Sequence, residues 1–126
     1  MLDQQKKTNT LYWIFTLLFI LPMIGSGLAE LLGAASLVES MNHLGYPLYF
    51  MKILGTAKLL GALAILTGRS RPVKEWAYAG FTFDMLGATI SHLAMGDTME
   101  PIAPALFLVL MIISYINWKK LSLDRK

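Results

Sequence analysis

The stretch TAKLLGALAIL, Thr56 to Leu66, sets a lysine, Lys58, inside an otherwise apolar run. Two further stretches repeat the setting: LAELLGAASL (Leu28 to Leu37) carries Glu30, and TFDMLGATIS (Thr82 to Ser91) carries Asp84. In all three the charge is followed by two large apolar residues and then Gly-Ala. A charge inside an apolar run is costly unless it is paired, so the recurrence asks for a partner and for a fold that brings partners together.

The surroundings of these stretches decide the class. The 126 residues leave room for one domain, spanning 1–126, and are 56% hydrophobic and 15% charged. Soluble domains carry about 25% charged residues. Four apolar segments stand out, at approximately 11–35, 48–67, 72–94 and 101–118. Each is near the ~20 residues that cross a hydrocarbon core of ~30 Å. The expectation is an all-α polytopic membrane protein, an antiparallel four-helix transmembrane bundle with short links. The first segment exceeds the apolar run of a cleaved signal peptide and contains Glu30, so an uncleaved helix is expected. With no cysteine, disulfides, thiolate chemistry and Cys-ligated metals are excluded.

Basic residues set the expected orientation. Lys6, Lys7, Arg69, Arg71, Lys74, Lys119, Lys120, Arg125 and Lys126 fall on one side, nine of the 11. Lys52 and Lys58 lie within the second segment, and the opposite loops, SLVESMNHLGYP and MGDTME, contain no Lys or Arg. The positive-inside rule puts both termini in the cytoplasm. The net charge of +3 therefore reads as membrane flanks, not as a nucleic-acid surface. Tyr12, Trp13, Trp76, Tyr78, Tyr115 and Trp118 read as an inner aromatic belt, with Tyr46 and Tyr49 as the outer one. Pro22 predicts a kink or a loosened turn in the first helix.

Helical rise converts position into depth. Asp84 comes roughly 17 Å into the third helix and Lys58 roughly 15 Å into the second, so the two antiparallel helices bring them to one level. A Lys58–Asp84 ion pair is expected, since an unpaired central charge costs at least ~2.5–3.5 kcal/mol. Its bland reading is a staple that fixes helix pairing. Glu30, Lys52 and His92 are expected in a second, outer layer lining a polar chamber, with Ser91 on the same helical face as Asp84. For Lys52 the bland reading is snorkelling to the headgroups, and for His92 it is packing. Gly25, Ala29 and Gly33, and Ala57 with Gly61, read as small-residue ridges for close helix approach. The fourth segment, without an ionisable residue, reads as a lid or an oligomer surface. No metal site is expected, because His43 falls in an outer loop and His92 stands alone.

The wording GYPLYFMKILGTAKLLGALAIL, followed by RPVKEWAYAGFTFDMLGATISHLAMGD, resembles the DoxX-like family of small four-helix membrane proteins. The resemblance runs from about Gly25 to the end of the last segment. Gly45-Tyr46-Pro47, Lys52, Gly55, Lys58, Gly61, Lys74-Glu75-Trp76-Ala77, Gly80, Asp84, Gly87-Ala88, His92 and Gly96-Asp97 carry it. It implies a membrane redox setting, since the family is named from a subunit of an archaeal thiosulfate:quinone oxidoreductase. Relatives also include an animal chaperone for receptor-channel assembly. No catalytic residue comes with the resemblance.

The leading expectation is a site for a small apolar or amphipathic molecule, quinone- or lipid-like, formed by Glu30, Lys52, Lys58, Asp84, Ser91 and His92. An acid/base enzyme on a lipophilic substrate is the next reading, with Glu30, His92 and Asp84 as candidate catalytic groups. An assembly partner or chaperone, in contact with another membrane protein or a second copy, is a further reading. A small four-helix transporter ranks lower, because the basic bias is nine to none, and haem on His92 ranks last.

Overall fold

The computed structural model describes residues 2–124, with side chains as far as Leu121. Arg125 and Lys126, counted above among the inner basic residues, lie outside the described residues. Those described form five α-helices and no strand: α1 (Leu2–Leu32), α2 (Ala35–Leu44), α3 (Leu48–Thr67), α4 (Arg71–Ala94) and α5 (Ile102–Asp124). Among them, α1, α3 and the Ile102–Leu121 part of α5 are long and apolar enough to cross a membrane. The 24 residues of α4 are sufficient in length, but the helix carries Arg71, Lys74, Glu75, Asp84 and His92.

The long helices pack in a ring, with α1 against α3 and α5, and α4 against the same two. Contacts along each pair run in opposite senses. Glu75, Tyr78 and Thr82 of α4 meet Lys119, Ser114 and Met111 of α5. Phe19, Ile20, Ile65, Tyr78, Phe81 and Met85 fill the middle, almost wholly removed from solvent. Conversely, Leu60, Leu63, Phe83 and Ile90 point outward. Large apolar side chains outside a packed interior are what a hydrocarbon solvent selects, since lipid does not reward burial of Leu over its exposure.

Two expectations about the elements need correction. The stretch read as the outer loop SLVESMNHLGYP is largely a helix, α2. Its sign was present: Ala34, Leu37, Val38, Met41 and Leu44 recur at helical spacing and are its half-buried side. Gly33 and Gly45, both with positive φ, isolate α2 at its two ends. Secondly, α1 begins at Leu2, well before the apolar run, and continues as one helix through Pro22. At its other end α1 stops early. Glu30, two residues from that end, meets Lys58, ten residues into α3. α3 also packs against α2.

Close approach of α1 and α3 occurs at Gly27 and Gly55, not along the expected Gly25–Ala29–Gly33 ridge. A Cβ on Gly55 would stand 2.7 Å from the Gly27 carbonyl oxygen, whereas one on Gly25 would meet nothing within 4 Å. Backbone cannot yield as a side-chain tip can. Gly55→Ala is therefore expected to push the helices apart and cost about 1–3 kcal/mol. Gly25→Ala is expected to stay within about 0.5 kcal/mol of the parent. Unfolding of the solubilised protein checks both, and equal stabilities would contradict this crossing.

Candidate functional site

Lys58 is the hub of the buried polar groups. Its ammonium contacts Glu30 Oε1, lies 3.0 Å from Ser26 Oγ and 3.7 Å from Asp84 Oδ2. Ser26 also donates to Glu30 Oε1 at 3.0 Å, being one helical turn before it. Glu30 is 3% exposed. Three helices thus converge, with α1 giving Ser26 and Glu30, α3 giving Lys58 and α4 giving Asp84. The expected Lys58–Asp84 contact is present at ion-pair distance, but Glu30 is the nearer partner. The second oxygen of Glu30 is buried and unbonded in the structure.

Lys58 also borders a cleft of about 630 Å³ between α3 and α4, which Glu30 does not line. Lys58 and Asp84 contribute its charges, and Ser91 lies farther along the α4 wall. Most of the remaining wall is apolar, including Leu54, Phe81 and Phe83. Leu60, Trp76 and Phe83 are 62%, 72% and 76% exposed, so they form the mouth and open it sideways to the surroundings. Met41 and Leu44 of α2 close one end. The glycines Gly80 and Gly87 of α4 line the cleft, and a Cβ at either would meet no atom within 4 Å. They keep volume free that larger residues would fill.

The six expected site residues therefore separate. Lys58, Asp84 and Ser91 face the cleft. Glu30 stands behind Lys58 and does not line it. Lys52 is exposed. His92 belongs to a different cluster, with its Nδ1 2.7 Å from Asp97 Oδ2. Glu30, Lys52 and His92 thus form no common chamber, because the early end of α1 drops Glu30 to the level of Lys58.

Sequence reasoning missed two groupings. His43, placed in a loop, is in the last turn of α2, and its Nε2 reaches both Asp97 oxygens at 3.0 Å. Asp97 thereby ties α2 to the end of α4, and the Tyr46 hydroxyl, 2.5 Å from Ser91 Oγ, makes a second tie. The two hydrogen bonds, first from His92 and then from His43, hold the Asp97 carboxyl below the ordinary carboxylate range. At the opposite end Lys74, counted as a flank, is buried. It donates to the Tyr12 hydroxyl at 2.6 Å and lies 4.7 Å from the ring centres of Tyr12 and Trp118. Tyr12, Tyr78 and Trp118 are consequently core residues, while Trp13 and Trp76 keep the exposed position expected of a belt. The fifth helix is part of that core through Ser114, which bonds Thr16 and Tyr78, and it does not line the cleft.

Two outcomes follow from these contacts. Lys58→Met leaves two facing carboxylates and is expected to cost about 3–5 kcal/mol. Asp84→Asn, which leaves the Lys58–Glu30 contact in place, is expected to cost about 1 kcal/mol or less. Equal losses on unfolding in detergent would make Asp84, not Glu30, the principal partner. For Asp97 the folded carboxyl loses its proton more readily than the unfolded one. Its contribution is present above the unfolded value of about 3.9 and disappears as pH falls through the lower folded value. Amide-exchange protection of α2, corrected for intrinsic rates, should hold from neutral pH to about 4 and decay below. In Asp97→Asn it should be low already at neutral pH, and unchanged protection would contradict the tie.

The profile of the DoxX-like family matches residues 14–114, a range that contains Glu30, Lys58, Asp84 and the whole cleft lining. No curated protein and no solved structure matches the chain. The chain belongs to the DoxX-like family.

Proposed function

We propose that α1, α3, α4 and α5 cross the membrane as an antiparallel four-helix bundle with both termini cytoplasmic. We further propose that the protein binds a small amphipathic molecule in the α3/α4 cleft. The polar head rests at Lys58 and Asp84, and the tail follows the apolar wall toward the bilayer. The observation that carries this reading is the cleft itself, about 630 Å³ with two charges at its base and an apolar, sideways mouth. Ligand sites are commonly ~300–1,000 Å³, largely apolar, with a few polar groups that fix orientation. A packed membrane interior has no structural need for such a space.

The nine flanking basic residues support the orientation. Inward placement of its charges lets α4 serve as the fourth span, because its lipid side carries Val73, Phe83 and Ile90. Lipid-sized and quinone-sized molecules both suit the volume. A redox setting rests on the family name alone.

Gly80→Leu fills the cleft without displacing an atom at Cβ. Protein purified in mild detergent should carry a bound amphiphile, seen by mass spectrometry of its extract. The Gly80→Leu variant, folded to the same degree, should retain several-fold less of it. An identical bound complement in both would overturn the proposal.

A further inference from the structure

Resting on that reading, we infer that the cleft selects a cationic head, that of a protonated lipophilic amine, over carbonyl, alcohol or carboxylate heads. An ammonium has three N–H groups and accepts no hydrogen bond. Two of those of Lys58 go to Glu30 and Ser26, and Asp84 stands at ion-pair distance from the same ammonium. An incoming carbonyl or carboxylate would have to compete with Asp84 for this ammonium, and among the described residues Lys58 is the one basic residue on the cleft wall.

Charge runs the same way. With Glu30 and Asp84 ionised, two negative charges surround one positive charge. The surplus lies with Asp84, because Lys58 sits on Glu30 and Ser26 and meets Asp84 only at 3.7 Å, beyond hydrogen-bond reach. Asp84 is also the carboxylate that faces the cleft. An ammonium entering there would complete an alternating row: Glu30, Lys58, Asp84, ligand. In a medium of low dielectric such a row is favoured far more than in water.

The walls agree independently. Phe81, Phe83 and Trp76 line the same cleft as Asp84, and aromatic faces attract cations. No such attraction acts on an anion. The source of the amine is not fixed by these contacts, but its head chemistry is.

The test uses three probes with one tail, decylamine, decanol and decanoate, added at neutral pH to the full chain in phosphatidylcholine nanodiscs. Native mass spectrometry counts the molecules bound, with empty discs as the control. Decylamine should bind at least about tenfold more tightly than either other probe, tenfold being ~1.4 kcal/mol. In Asp84→Asn, checked for helical content and size, decylamine should lose its advantage and bind no more tightly than decanol. Equal binding of the three probes, or a preference for decanoate, in the wild-type protein would overturn the head-group inference and leave the amphiphile site standing. If none of the probes binds and Gly80→Leu behaves as wild type, the cleft reading fails as well.

Discussion

One ammonium between two carboxylates governs the architecture. Lys58 lies among helices that present apolar surfaces outward, and its charge is tolerated only because Glu30 and Asp84 stand on the two neighbouring helices. The requirement is geometric before it is energetic. For Glu30 to reach Lys58, α1 and α3 must approach at Gly27 and Gly55, where a methyl group would already collide with backbone. For Asp84 to stay only at ion-pair distance, α3 and α4 must part enough to leave a cleft. Close contact on one side of the lysine and open space on the other are two consequences of the same unequal sharing.

The recurring Gly-Ala after each charge resolves into three different uses. Gly33 takes a positive φ and ends α1, which turns the chain into α2. Gly61 lets the Phe81 ring lie where a Cβ would come within 2.8 Å of it. Gly87 borders open space and keeps the cleft wide. Identical local wording thus serves chain reversal, close packing and vacancy, because the role of a glycine is set by what lies across from it. That explains why the repeat marks no duplication of structure.

Much of this arrangement was legible in the residues. Helical rise is constant, so depth counted along two adjoining helices brought Lys58 and Asp84 together correctly. Seven-residue spacing likewise put Asp84 and Ser91 on one side of α4, and both line the cleft. What failed was anything that depended on where α1 ends. Counting from an assumed span of 11–35 set Glu30 near the outer edge, whereas the turn at Gly33 and the packing of α2 on α3 set it beside Lys58. His43 was lost for the same reason, since a stretch rich in polar residues reads as loop unless its helical recurrence is counted. Burial of Lys74 had no local sign at all. It depends on Tyr12 and Trp118, from the two ends of the chain, meeting over one ammonium.

Infrared difference spectroscopy on the protein in nanodiscs, before and after addition of an amphiphile that binds, reaches the central claim most directly. If Lys58 is held by Glu30 and Asp84 is left for the cleft, the carboxyl band that changes must belong to Asp84. It should vanish from the difference spectrum of Asp84→Asn and persist in that of Glu30→Gln. A changing band that disappears in Glu30→Gln but survives in Asp84→Asn would contradict the account, as would binding that alters no carboxyl band.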